Sequence, residues 1–189
     1  FDSPSIFAAL LDREKGGCFG FEVSEAYRTE QSYIPHTNIL STHFISDEAE
    51  FTVLDFMPYY RAQNSEHYLP AELYRYDVVS GAFPGFGSIT LRLRTEYIES
   101  YSSLNATDRQ YLYSSIPLED IERSREIVLE KDEFFLLSYN EKVIPVDIER
   151  EKLEYCRTLV YWLNWSNRTK KYTLYNDVIE RSLLTLKLM

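Results

Sequence analysis

Cysteine is scarce in this sequence, and its cysteines form no recognisable motif. The two of them, Cys18 and Cys156, lie far apart among 189 residues, with no Cys-x-x-Cys pair. Two cysteines permit one disulfide, but they cannot supply the disulfide framework that holds small secreted domains together. We therefore expect a reduced protein that works in the cytoplasm.

Long hydrophobic runs and basic clusters are also missing. No apolar run approaches the roughly 18–20 residues that a membrane-spanning helix needs, and Phe1–Pro4 carries no positively charged signal-peptide segment. The 20 Lys and Arg residues are outnumbered by 30 Asp and Glu residues, which gives a net charge of −10. Nucleic acids and anionic membranes bind clustered Lys and Arg. The composition therefore argues against both kinds of partner.

The residue patterns of catalytic and metal sites are absent as well. The three histidines, His36, His43 and His67, form no His-x-His or His-Glu-x-x-His motif and no His–Cys pair at metal spacing. Gly-x-Ser-x-Gly, the P-loop and Gly-x-Gly-x-x-Gly are also missing. Neighbouring carboxylates such as Glu119-Asp120 fall in charged turns, which are usually solvated. The sequence alone predicts no catalytic residue, no cofactor and no metal.

What the chain does contain is a series of short strands. Ser88–Tyr97 alternates apolar and polar residues, which predicts a strand with one buried and one solvated face. Other short segments rich in β-branched and aromatic residues lie between turn signals: Cys18–Val23, Ile39–Ile45, Phe51–Met57, Leu73–Ser80, Gln110–Ser114, Arg125–Glu130 and Phe134–Tyr139. Many short strands predict a mainly β fold, an antiparallel β-sandwich over residues 1–147. A short helix near Ser5–Leu11 would lie at the start of this domain, before the first strand.

Helical periodicity replaces the strand pattern after Asp147. Glu149–Asn167 predicts a linker helix within residues 148–171, and Tyr175–Met189 predicts a second helix within residues 172–189. The second helix has an apolar stripe at helical spacing: Tyr175, Val178, Ile179, Leu183 and Leu186. We expect this stripe to pair with the same helix of a second chain, forming a homodimer, or else to fold back onto the sandwich or fray.

Two further features are candidates for function. Tyr59 and Tyr60 lie in an aromatic cluster and could stack on a sugar ring, although a loop anchored by ordinary tyrosines is the favoured interpretation. Asp55 shares one face of its predicted strand with Phe51, Val53 and Met57. A buried carboxylate that accepts backbone hydrogen bonds at the strand end is favoured there over a functional one.

Several segments resemble a known family of sugar-cleaving proteins. Phe1–Asp12, followed by Gly16-Gly17, resembles the opening of bacterial and archaeal glucoamylase- and trehalase-like proteins of glycoside hydrolase family 15. Tyr33–Leu40, with its Pro-x-Thr-Asn pattern, and Thr52–Pro58 are similar to later blocks. Trp162 and Trp165, followed by Arg181–Leu188, resemble the family's junction into its catalytic barrel. The blocks occur in the family's order.

The resemblance implies a β-supersandwich fold followed by a catalytic (α/α)6 barrel, whose first helix begins near Tyr175. It also implies that the parent protein cleaves the α-glucosidic bonds of α-glucans or trehalose with inversion, using two glutamates beyond this chain. The chain would then be the non-catalytic N-terminal domain, with the barrel as its partner. A free-standing carbohydrate-binding β-sandwich is the alternative. An autonomous sugar epimerase is disfavoured, because three scattered histidines offer no acid–base constellation.

Overall fold

A computed structural model describes residues 10–13, 19–23, 26–47, 50–62, 65–68, 72–78, 89–93, 110–123, 126–127, 132–139 and 147–188. These residues form antiparallel sheets with helices at the C-terminal end, so the predicted mainly β fold is confirmed. The strands, β1 to β11 in chain order, are Phe19–Glu22, Arg28–Tyr33, Leu40–Ile45, Glu50–Phe56, Tyr59–Ala62, Ser65–Tyr68, Glu72–Val78, Ile89–Leu93, Gln110–Ser114, Glu126–Ile127 and Glu133–Tyr139. Within the described ranges, no helix is long and apolar enough to cross a membrane.

The largest sheet has six strands in the order β2-β3-β4-β7-β11-β9. A second sheet has the order β1-β8-β10, and β5 and β6 form a two-stranded hairpin. Every described pairing is antiparallel; for example, β3 pairs with β4 so that Leu40 lies opposite Asp55.

Strand β4, in the middle of the six-stranded sheet, is buried on both faces. On β4, Phe51 and Val53 pack with Phe44 in one cluster, whereas Leu54 and Phe56 belong to another. Alternate residues of a strand point to opposite faces, so each cluster covers one side of the sheet. This is why the apolar positions of β4 do not simply alternate with polar ones.

Three helices complete the described structure: α1 (Leu118–Glu122), α2 (Ile148–Arg168) and α3 (Asn176–Leu188). The side chain of Asp147 accepts a hydrogen bond of 2.8 Å from the backbone N–H of Arg150 and caps α2. Helix α2 packs against β5 and β11. The observed bounds of α2 and α3 lie within one residue of the predicted Glu149–Asn167 and Tyr175–Met189, because both segments have apolar residues at helical spacing.

Some expectations differ from the structure. The segment Tyr59–Tyr68, interpreted as a loop, contains a hairpin in which Tyr60 lies opposite His67. Strand β2 was not predicted at all. Of the predicted N-terminal helix, Leu10 and Leu11 lie in an exposed turn, and residues 1–9 lie outside the described ranges. Cys156 is exposed with a free thiol, and Cys18 lies outside the described residues.

Candidate functional site at the junction of helix α3 and the sheet

The loop between β2 and β3, Ile34–Ile39, is a compact turn that we call the junction loop. The backbone N–H of Ile34 donates to the carbonyl of Ile39 at 2.9 Å. The hydroxyl of Thr37 donates to the carbonyl of Ile34 at 2.8 Å and accepts from the N–H of Ile39 at 3.0 Å. His36 has a φ of 66°, in the left-handed region that suits tight turns. These bonds fix the positions of Thr37 and Asn38, which are buried.

Helix α3 is bonded to the junction loop by Arg181. One guanidinium nitrogen, Nη1, donates to the carbonyl of Thr37 at 2.7 Å, and Nη2 donates to the side-chain oxygen of Asn38. The amide of Asn38 in turn donates to the carbonyl of Leu184 at 2.7 Å. The guanidinium also lies over the ring of Tyr33, 3.9 Å from its centroid, which is a cation–π contact. Burial lowers the pKa of Arg181, although Tyr33 acts in the opposite direction; guanidinium nevertheless stays protonated in proteins.

The neighbouring residue, Glu180, is a nearly buried carboxylate surrounded by donors. Its Oε1 accepts from the hydroxyl of Ser166 and from Nζ of Lys171 at 3.1 Å. Its Oε2 lies 3.0 Å from Nδ1 of His36. Burial alone would raise the pKa of Glu180, but the hydrogen bonds from Ser166, Lys171 and His36 outweigh it, so the pKa is lowered. Glu180 thereby connects α3 to both the junction loop and the end of α2.

An apolar core lies beneath these polar contacts. Leu184 of α3 is 2% exposed and Trp162 of α2 is 1% exposed. The core also receives residues from the junction loop and from strands β4 and β11: Ile39, Leu54, Phe56, Phe134 and Leu136. The polar contacts of Glu180 and Arg181 therefore lie over an apolar core that is shared by the sheet and both C-terminal helices. We call these contacts and this core the joint.

Four segments singled out by the resemblance meet at this joint. Arg181, which opens the Arg181–Leu188 block, bonds to Thr37 and Asn38 of the Tyr33–Leu40 block. Phe56 of the Thr52–Pro58 block and Trp162 lie in the same core. The opening block falls mainly in residues 1–9 and 14–18, which lie outside the described ranges.

A small pocket opens beside the joint. It has a volume of about 230 Å³ and is lined by residues of β2, the junction loop and α3: Tyr33, Ile34, Pro35, His36, Asp177, Glu180, Arg181 and Leu184.

Most of the apolar stripe predicted for α3 faces away from the core, and its other two residues, Ile179 and Leu183, are only partly buried. Val178 and Leu186 are each 66% exposed and Tyr175 is 78% exposed, whereas Glu180 and Leu184 are buried. The stripe was predicted to be buried because it is the most hydrophobic side of the helix. The buried side instead contains charged groups, whose partners lie on α2 and the junction loop. The helix therefore folds back onto the sheet with its more polar side.

The other candidates from the sequence are not among the residues that line the pocket. Tyr59 and Tyr60 belong to β5, and their side chains lie outside the described part of the structure. Asp55 is partly buried on β4 and pairs in register with Leu40 and Arg75. Nε2 of His43 lies 3.5 Å from a carboxylate oxygen of Glu50. No cluster of potential metal ligands occurs among the described residues.

The chain is similar to proteins named as trehalases. Over its whole length it is 25% identical to a trehalase of Thermoplasma acidophilum, of which it covers 35%. Segments of 58 residues are 38% identical to trehalase 2 and 40% identical to trehalase 1 of Sulfolobus acidocaldarius, and each covers 10% of that protein. The chain thus spans about a third of the length of the Thermoplasma acidophilum trehalase. No family model matches it, and no solved structure does.

Because Glu180 has a lowered pKa, the joint should respond to acid. A carboxylate whose pKa is lowered by folding stabilises the fold above its unfolded pKa, and this stabilisation is lost as the pH falls through the folded value. We expect Glu180→Gln to lower the free energy of unfolding at pH 7 by about 1–3 kcal/mol, the cost of weakening hydrogen bonds to a charged group. The difference from the wild type should shrink below the ordinary pKa of 4.5.

Urea denaturation at a series of pH values measures this difference. Glu30→Gln is the matched control, because Glu30 pairs with Arg28 at 2.9 Å on an exposed surface, where ion pairs contribute little. A Glu180→Gln deficit that stays constant from neutral to acid pH would contradict a role for the charge.

Proposed function

We propose that the chain is the non-catalytic N-terminal β-sandwich domain of a larger, cytoplasmic α-glucosidic hydrolase of the glucoamylase- or trehalase-like family 15 type. In this proposal residues 1–147 form a β-supersandwich, residues 148–171 a linker helix, and residues 172–189 the first helix of a catalytic (α/α)6 barrel. The observation that carries the proposal is the two-sided character of α3. One side is bonded to the junction loop and to α2, and the other presents apolar residues to solvent.

The bonded side supports a role in positioning. Arg181, Asn38 and Glu180 make side-chain hydrogen bonds to elements that are far away in sequence. Such charge-assisted bonds define one orientation more strictly than apolar packing does. A helix held in this way can set the angle at which the following chain leaves the sandwich.

The open side supports the presence of a further partner. The large apolar residues exposed on α3 and just before it are Leu174, Tyr175, Val178 and Leu186. Burying one such side chain contributes roughly 1.5–3 kcal/mol, and exposed apolar patches usually mark an interaction surface. Further barrel helices would cover this surface in the parent protein. In the chain alone, a second copy would cover it, which is the proposed homodimer.

The carboxylates at the pocket support a non-catalytic role. Inverting hydrolysis needs one carboxyl group with a raised pKa to protonate the leaving oxygen and a second carboxyl to activate water. Glu180 has a lowered pKa, and both of its oxygens have partners. Asp177, the other carboxylate of the pocket, is only three residues away on the same helix. The pair therefore lacks the opposed acid and base that the reaction requires.

We expect the purified chain to release no glucose from maltose, starch or trehalose. In contrast, a chimera in which this chain replaces the matched 35% of the Thermoplasma acidophilum trehalase should hydrolyse trehalose. The reason is that the chain supplies the supporting sandwich and the relative supplies the barrel. A coupled glucose assay measures both. The control is the relative without its matched segment, which should be inactive or insoluble.

Glucose release by the chain alone, above a boiled control and persisting after repurification, would overturn the proposal. The alternative, a free-standing carbohydrate-binding module, is supported by the pocket beside Tyr33. It predicts sugar binding by the chain together with a chimera that stays inactive despite a well-folded barrel.

A further inference from the structure

We infer that the pocket between the junction loop and α3 binds a single neutral pyranose unit. The preference for a neutral, hydroxyl-rich ring rests on the residues of the pocket. The choice of glucose as the sugar to test rests on the proposed function. This would be a non-catalytic binding site whose two walls are the elements joined at the junction.

The size of the pocket favours one sugar ring. Pockets for drug-sized ligands usually measure roughly 300–1,000 Å³, and this one measures about 230 Å³. A water molecule takes up roughly 30 Å³ of liquid volume. A ligand in the pocket would therefore displace several waters, but the pocket has no room for an oligosaccharide. A longer glucan would have to project into solvent.

The polar groups of the pocket match a polyol. Arg181 has five N–H donors, and two of its nitrogens bond to Thr37 and Asn38, which leaves further donors for a ligand. His36 contacts Glu180 through Nδ1, and its side chain is 53% exposed, so its Nε2 is available to a ligand. Asp177 lies exposed on the first turn of α3 and offers a carboxylate acceptor. Donors and acceptors in one small space suit hydroxyl groups, which can do both.

The apolar groups of the pocket match the C–H face of a sugar ring. Tyr33 is 48% exposed and lines the pocket together with Ile34, Pro35 and Leu184. Aromatic and aliphatic surface of this kind can pack against the C–H face of a pyranose ring. The ring of Tyr33 is held in place by the guanidinium of Arg181, so it does not have to be ordered when a ligand binds.

Charged ligands fit the pocket less well. An anion would meet the carboxylates of Asp177 and Glu180, which both line it. A divalent cation would meet the guanidinium of Arg181, which also lines the pocket. A neutral ligand avoids both repulsions.

A titration with glucose, followed by ¹H–¹⁵N correlation spectra of the full chain, tests the inference. We expect saturable shifts at the amides of Tyr33, His36 and Asp177, with a millimolar dissociation constant, because a shallow site for one small ring gives little net affinity. Asp177→Ala should weaken binding about fivefold, the effect of losing one hydrogen bond. Tyr33→Phe, which keeps the ring, should weaken it less.

Glu149→Ala is the matched control, since Glu149 is an exposed carboxylate on the first turn of α2 and does not line the pocket. Its affinity for glucose should equal that of the wild type. The inference is overturned if glucose causes no saturable shifts, if Asp177→Ala binds as tightly as the wild type, or if inorganic phosphate or calcium gives the saturable shifts in place of glucose. If the chimera is active but the chain does not bind glucose, the proposed function stands and this inference fails. If the chain binds glucose but a folded chimera is inactive, this inference stands and the proposed function fails.

Discussion

Replacing Arg181 with alanine should loosen α3 and lower the free energy of unfolding by about 3 kcal/mol. The substitution removes two hydrogen bonds from a charged donor, each worth about 1.5–3 kcal/mol, to the Thr37 carbonyl and the Asn38 side chain. Thr37 is fully buried, so water cannot readily replace the lost donor. The cation–π contact with Tyr33 is lost as well. The surrounding structure can relax after the substitution, so the total change in the free energy of unfolding is smaller than the sum of these separate losses.

Hydrogen exchange distinguishes this local effect from a general loss of stability. Amides of α3 and of the junction loop should exchange faster in Arg181→Ala, whereas those of β4 and β11 should change less. Arg181→Lys should be intermediate, because an ammonium keeps the charge but lacks the planar fork that reaches two acceptors.

Arg168→Ala provides the control, since Arg168 is an exposed residue at the end of α2. Exposed substitutions of this kind usually change stability by no more than about 0.5 kcal/mol. If Arg181→Ala falls within the same range, the helix is held by Leu184 and the apolar core rather than by the guanidinium.

Strands β4 and β11 were predicted because their composition reflects their burial. Phe134–Leu137 is a continuous apolar run, and it forms the middle of β11, which is covered on both faces. Strand β2 gave no such signal, because all six of its side chains are exposed at the edge of the sheet. The hairpin of β5 and β6 was missed because Gln63-Asn64 between its strands lacks the Asn-Gly or Asp-Gly signal of tight hairpins.

The joint could not be predicted from the sequence for a different reason. Its central contacts, such as His36 with Glu180, connect residues 144 positions apart. Periodicity identifies which residues share one face of a helix. It predicts that the most hydrophobic face is the buried one. Glu180 is buried because three donors compensate its charge, and those donors lie on other elements. The resemblance to known proteins marked both sides of the joint without indicating that they touch.

Trp162→Ala should have the largest effect on stability, lowering the free energy of unfolding by about 3–5 kcal/mol. Trp162 is 1% exposed and contacts Tyr161 and Trp165 edge to face, with centroids at 5.2 and 6.1 Å. It lies in the core that unites the sheet, α2 and α3, where the gap left by an indole cannot close without moving all three. A domain of this size loses roughly 2–4 °C of melting temperature per kcal/mol, so thermal unfolding should shift by about 10 °C.

Trp165→Ala is the matched control for this prediction. Trp165 is three residues further along the same helix and only partly buried, at the margin of the same core. Its loss should cost clearly less than the loss of Trp162. These two are the only tryptophans of the sequence, so each variant keeps one fluorophore that reports unfolding. Trp162 in the Trp165→Ala variant should emit at shorter wavelength than Trp165 in the Trp162→Ala variant, because it is shielded from water. Equal costs for the two variants, or equal emission maxima, would show that Trp162 is not at the centre of the joint. The helices would then be attached to the sheet mainly through the polar contacts of Glu180 and Arg181.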